Sequence, residues 1–156
     1  MKRSHVQVFT RLCVAVLLVT ATAVAVPTTA SATAAGCQYY NYFGYSYGGV
    51  SIGIPRGALC HQINGSGRTI TYEKAYVGTD SALARFCNWR YDWQYYDTSG
   101  RLYSTSRGAT HTSCNYWATV SRVDGTDRTL PYYGKACAAF YVGGTLRVRQ
   151  CHQITS

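Results

Sequence analysis

Between Cys87 and Tyr95 the chain alternates without a break. Cys87, Trp89, Tyr91, Trp93 and Tyr95 take the odd positions; Asn88, Arg90, Asp92 and Gln94 lie between them. A helix would scatter the five large side chains around its circumference, whereas a strand puts them all on one face. Aromatic residues also favour strands, and nine residues of period two predict a strand with one buried side. Asp97-Thr98-Ser99-Gly100 follows, and then Arg101-Leu102-Tyr103-Ser104-Thr105. This predicts a hairpin with a glycine near the left-handed position of its turn. The hairpin is the expected centre of a small β domain.

The two ends bound that domain. Met1-Lys2-Arg3 and Arg11 precede an apolar run from Leu12 to Val26, and Ala30-Ser31-Ala32 and Ala32-Thr33-Ala34 are small-x-small sites. These features read as a secretory leader over residues 1–35, to be excluded from the fold. The run falls short of the roughly 20 apolar residues a membrane span needs. Ala34-Ala35-Gly36-Cys37 has a lipoprotein-like shape, but it lacks the large aliphatic residue and lies well past the apolar run.

One of the seven cysteines, Cys13, falls in the leader, which leaves Cys37, Cys60, Cys87, Cys114, Cys137 and Cys151. An even count in an exported chain reads as three disulfides. No pair has Cys-x-x-Cys spacing, so neither a metal site nor a cofactor is expected. Several connectivities are open, and the sequential one is adopted: Cys37 to Cys60, Cys87 to Cys114, Cys137 to Cys151. Without Lys2, Arg3 and Arg11 there remain twelve basic residues against six acidic, a net of +6. That balance suits an anionic partner. The bases are spread one or two per strand, however, which disfavours nucleic acid and fits a solvated surface.

Residues 38–47 are six-tenths aromatic, a Tyr/Gly/Asn tract of the kind that sticks to partners. Gly49-Val50-Ser51-Ile52-Gly53-Ile54 then alternates branched residues on one side with Ser and Gly on the other. Such a one-sided strand can slide into a narrow cleft or add to a sheet edge. It can equally be the first strand of the domain's own sheet. A Cys37–Cys60 bond would tether it and lower its ordering cost on binding. The expected organisation is therefore a leader (1–35), an extended Tyr/Gly-rich arm (36–57) and a β domain (58–156). Further strands are expected at 59–63, 68–72, 114–120, 136–142 and 145–154, with one helical turn at 81–85. The total is about seven to nine short antiparallel strands, an all-β sandwich or small barrel stapled by disulfides. Cys60-His61-Gln62-Ile63 recurs as Cys151-His152-Gln153-Ile154, which marks two structurally equivalent strands.

Chemistry-bearing residues are sparse. A ribonuclease-like toxin needs a base, an acid and an Arg for phosphate, types that Glu73, His111 and several Arg supply, but no spacing ties Glu73 to a histidine. No Gly-x-Ser-x-Gly elbow is present. His61 and His152 each sit beside a cysteine and read as hydrogen-bonding strand residues. Trp89 and Trp93 share the face of Cys87 and read as core, while Trp117 is the better candidate for an exposed, sugar-stacking ring. Ile54-Pro55-Arg56-Gly57 has the shape of a tethered protease-inhibitor loop with Arg56 as its specificity residue.

Several motifs occur together and in order. They are Ile54-Pro55-x-Gly57-x-Leu59-Cys60-His61-x-Ile63, then Gly65-x-Gly67-x-x-Ile70. After these come Cys87-Asn88-Trp89-Arg90-x-Asp92-Trp93-x-Tyr95-Tyr96-Asp97-x-x-Gly100-Arg101-x-Tyr103, Gly134-x-x-Cys137-Ala138 and the closing Cys151-His152-x-Ile154. The series, spanning residues 54–154, resembles the adaptor (B component) family of the secreted umbrella toxin particles of filamentous soil bacteria. The resemblance implies a non-enzymatic, extracellular adaptor of an antibacterial assembly. Its implied partners are a lectin-bearing component with a trypsin-like domain and a large repeat-containing toxin component. An extended segment of the adaptor lies in the cleft of the trypsin-like domain; here that segment is about 48–56. The implied contact residues are Val50, Ser51, Ile52, Gly53, Ile54, Pro55 and Arg56, with no catalytic residue and no membrane contact.

Overall fold

A computed structural model describes residues 32–156. In chain order the strands are β1 (Ala34–Tyr40), β2 (Phe43–Tyr47), β3 (Val50–Ile54), β4 (Gly57–Ser66), β5 (Thr69–Thr79) and β6 (Arg85–Asp97). They continue as β7 (Leu102–Arg107), β8 (His111–Tyr116), β9 (Ser121–Asp124), β10 (Arg128–Thr129), β11 (Gly134–Val142) and β12 (Thr145–Ile154). One sheet has the order β1-β4-β5-β10, with β9 also on β5; the second has the order β12-β11-β6-β7, with β8 also on β6. All ladders are antiparallel. The two sheets face each other as a sandwich, and β2–β3 forms a separate two-stranded hairpin.

β6 organises the core as its alternation requires. Trp89, Tyr91, Trp93 and Tyr95 are buried, with Phe86 on the same side. Ala136, Ala138, Phe140 and Val142 of β11 line up beside them, and Leu59, His61, Ile63, Ala75 and Val77 oppose them from the other sheet. A buried aromatic of this size stabilises by about 1.5–3 kcal/mol, so truncating Phe140 to Ala would cost more than any surface change. A bulge with Asn88 at φ 51 shifts the register between Cys87 and Trp89. The turn after β6 forms as its residues dictate. Gly100 takes φ 82, and the Asp97 carboxylate accepts from the backbone N–H groups of Ser99 (3.1 Å) and Arg101 (2.9 Å).

The three disulfides are Cys37–Cys60, Cys87–Cys114 and Cys137–Cys151, the sequential set. Each bonds two residues already opposite one another in a ladder. The repeated Cys-His-Gln-Ile motif has a matching structural repeat. Gly36 and Ala34 oppose His61 and Ile63 in the β1–β4 ladder, and Ala136 and Gly134 oppose His152 and Ile154 in β11–β12. The two copies meet across the sandwich, where the His152 ring Nε2 lies 2.8 Å from the His61 carbonyl oxygen.

Other expectations shift. The 59–63 and 68–72 strands are longer, β5 running on to Thr79. The strand expected over 114–120 stops at Tyr116 and gives way to a 3₁₀ turn over Trp117–Thr119. Residues 81–85 make a single turn in which Ala84 N–H reaches Ser81 O, not a helix. Among the described residues twelve strands exceed the count expected, because 34–47 and 121–129 supply short ones. The leader expected over 1–35 lies mostly outside the described residues. Its last two, Ala34 and Ala35, pair with Ile63 and Gln62 as the start of β1. The arm expected over 36–57 divides in two: residues up to Tyr40 complete a sandwich ladder, and 43–54 form the hairpin.

Candidate functional site

The one-sided strand expected over 49–54 is present as β3, but it has a partner. Phe43↔Ile54, Tyr45↔Ile52 and Tyr47↔Val50 share one face; Gly44↔Gly53 and Ser46↔Ser51 share the other. Gly48 (φ 59) and Gly49 (φ 78) close the hairpin, a two-residue turn in which both residues need positive φ. The result is a ribbon with an aromatic and aliphatic underside and an outer face whose strand residues are Gly and Ser alone, the Tyr42 ring lying over Gly53.

The underside is anchored. The Tyr45 hydroxyl accepts from Cys87 N–H at 2.8 Å, and the Tyr47 hydroxyl donates to Thr112 O. The Arg147 guanidinium lies 4.6 Å from the Phe43 ring centre. Burial pushes the Tyr45 phenol above its ordinary value, with the Cys87 N–H acting the other way.

The candidate contact residues therefore separate. Val50, at the tip, is 63% exposed. Ser51 and Gly53 are exposed on the bare face, while Ile52 is half-buried against the core. Ile54 is 0% exposed and is a core residue of this domain, so in this conformation it meets no partner. Pro55 is half-buried, and Arg56 is exposed with its guanidinium held by Asp80. That ion pair occupies the group an inhibitor loop would present. Along β3 runs an open groove lined by Ile52, Gly53, Pro55, Leu83, Ala84 and the Cys87–Cys114 pair. Leu83 stands 80% exposed beside it.

A second constellation was not legible in the sequence. Glu73, the only glutamate, is 2% exposed between the sheets. His61 Nε2 lies 3.0 Å from its Oε1, and the Tyr95 hydroxyl donates to Oε2 at 2.7 Å. Arg128 donates to the Tyr95 hydroxyl, approaches Oε2 at 3.8 Å and bonds Asp124 at 3.1 Å. The Tyr95 phenol is raised well above its ordinary value, first by burial and then by the Glu73 charge and hydrogen bond. His61 stacks on Trp93 at 5.6 Å. These groups could exchange protons, but the His61 and Glu73 side chains are 0% and 2% exposed, so no substrate reaches them in this conformation. Their geometry joins the two sheets. Period two on β5, which aligns Glu73 with Ala75 and Val77, was the available signal for an inward carboxylate.

His111, the histidine considered for ribonuclease chemistry, is exposed and stacks on Trp89 at 3.9 Å, while the Glu73 oxygens are taken by His61 and Tyr95. Trp117, expected to be exposed, is partly buried against the core. Among the described residues no group of three or more His, Cys, Asp or Glu side chains could hold a metal ion, and no helix is long and apolar enough to cross a membrane. Three disulfides suit an oxidising environment. Comparison with known protein families, with curated proteins and with solved structures finds no match to this chain.

Proposed function

We propose that the chain is a secreted, non-enzymatic adaptor that joins other proteins of an extracellular assembly by placing the β2–β3 hairpin in a partner's cleft. One observation carries this reading: the hairpin's own outward residues are Gly44, Ser46, Ser51 and Gly53, none larger than serine, with the exposed Tyr42 ring resting over the Gly53 end. A ribbon with small residues on one face fits a narrow cleft, and peptide groups along its edges then supply the affinity. Tyr45 and Tyr47 hold the hairpin in place beforehand, which lowers the ordering cost of association. Val50 at the tip is the apolar anchor. By the motifs in 54–154, the assembly is an antibacterial toxin particle with a lectin-bearing, trypsin-like component and a repeat-bearing toxin.

The test is capture of partners from the producer's culture medium by the tagged protein, beside a Ser51→Arg variant. Ser51 is exposed and directed away from the core, so the variant should keep the parent's melting temperature. Loss of a secreted partner with Ser51→Arg supports the reading. Undiminished capture by the folded variant removes it. Ile52→Asp is a poorer probe, because Ile52 packs against the core.

A further inference from the structure

The outer face of the β12-β11-β6-β7 sheet is built differently from the hairpin. Ladder registers place Arg149, Ala139, Asp92 and Arg107 in one cross-strand row. The next row is Cys151, Cys137, Gln94 and Thr105, and the one beyond is Gln153, Lys135, Tyr96 and Leu102. Ala139 and Cys137 are 0% exposed although their rows face away from the core. The Arg90 guanidinium sits 4.0 Å from the Tyr141 ring centre, and Arg149 sits 5.7 Å from that of Tyr96.

The polar side chains at the centre of this face are used up internally, while Gln153 and Thr105 on its edge strands stay exposed. Gln94 donates to the Tyr141 hydroxyl (3.3 Å) and accepts from the Tyr96 hydroxyl (3.0 Å). Asp92, the one carboxylate in these rows, accepts from Arg90 Nε through both oxygens at 3.2 Å and from Gly108 N–H at 3.2 Å. Charge dominates the exposed remainder. Arg107, Lys135 and Arg149 are exposed, and none has a carboxylate partner among the ion pairs of the described residues. Arg107 and Arg149 stand three strand spacings apart, about 14 Å, the span of more than one charged group.

We infer that this face binds a linear phosphodiester polyanion without bases, such as a polyol-phosphate chain. A neutral glycan is held by bare rings flanked by hydrogen-bonding groups, and a nucleic-acid strand needs rings on which bases can stack. Here Gln94 and both tyrosine hydroxyls are engaged and guanidinium groups cover the rings. A chain recognised by charge alone uses what is left: arginine forks and an ammonium on a flat surface. This site is remote in sequence from the hairpin and stands or falls independently of the adaptor reading.

The experiment measures binding of the oxidised protein to synthetic poly(glycerol phosphate) by titration at several salt concentrations. With three or four phosphate contacts, log K should fall against log salt with a slope of about −2 to −3, using the single-strand coefficient of about 0.7 per contact. Arg107→Gln/Arg149→Gln should weaken binding at least about 10-fold at low salt and flatten that slope by about 1.4. Arg68→Gln/Lys74→Gln, an equal charge change on the other sheet, should stay within about 2-fold. Arg107→Gln/Lys135→Gln gives the same loss without disturbing the Arg149–Tyr96 stack, and so covers a failure of the first variant to fold. No binding by the parent, equal losses in the face and control variants, or tighter binding of an oligo-dT strand than of poly(glycerol phosphate) overturns the inference.

Discussion

Tyr91 and Tyr95 offer a controlled comparison inside one strand. Both rings are 1% exposed. The Tyr91 hydroxyl donates to a neutral backbone carbonyl, Val120 O, at 3.0 Å, while the Tyr95 hydroxyl donates to the Glu73 carboxylate at 2.7 Å. Phenylalanine removes the same atom from each, so packing losses largely cancel. A neutral hydrogen bond contributes about 0.5–1.5 kcal/mol and one to a charged group about 1.5–3 kcal/mol. After Tyr95→Phe, Glu73 Oε2 keeps only the Arg128 guanidinium, at 3.8 Å and beyond hydrogen-bond reach. Tyr95→Phe should therefore exceed Tyr91→Phe by about 1–2 kcal/mol. For a domain of about 125 residues, with an unfolding entropy of about 2.1 cal/mol/K per residue, the difference is about 4–8 °C in melting temperature. The assay is thermal unfolding of the oxidised protein, with coincident near- and far-ultraviolet transitions as the two-state check. Equal shifts, or a larger one for Tyr91→Phe, would refute the view that the hydrogen bond to Glu73 is the stronger of the two. In a Glu73→Gln background the gap between the two variants should shrink.

Two further outcomes are expected. Replacing Cys37 and Cys60 by Ser opens a loop of separation 23 and should cost about 3 kcal/mol on the chain-entropy account, read as a lower urea midpoint with a somewhat steeper slope, because the unfolded chain becomes less compact. The Asp97 carboxyl is held down at about 2 against an ordinary 3.8, first by the Ser99 hydroxyl and then by Arg101 N–H. A lowered folded value means stabilisation that is complete above the ordinary value and lost as pH falls through the folded one, so Asp97→Asn should lower the melting temperature at pH 5 and make little difference near pH 2; a gap that widens in acid contradicts this.

The sequence exposed the elements whose side chains alternate and whose turns carry glycine. The hairpin at 87–105, the β11–β12 hairpin around Gly143-Gly144 and the inward Trp89 and Trp93 all follow from period two. Gly48-Gly49 carries the same signal between alternating runs, but the aromatic density of 38–47 is equally the signature of a low-complexity tract and masks its pairing. The site residues were only partly legible, because alternation cannot say which branched residue a domain keeps for itself. Ile54 went to the core and Val50 to solvent, although both lie on one face of β3. The Glu73 cluster joins residues from β4, β5, β6 and β10, and such distant partners leave no local spacing to read.

The Cys37–Cys60 bond acquires a mechanical meaning from where it sits. The hairpin, residues 43–54, lies wholly inside the loop that this bond closes. Tension applied to the hairpin passes through 38–42 and 55–59 and ends at a covalent cross-link, so it cannot unzip β1 from β4 beyond that point. All three cross-links lie within single sheets, however, and none spans the sandwich. Load passing from one sheet to the other is carried by side chains and by the connecting backbone at 80–84, 117–120 and 130–133. Under a pull between two bound partners the sandwich would yield by shearing one stapled sheet past the other, with every disulfide intact.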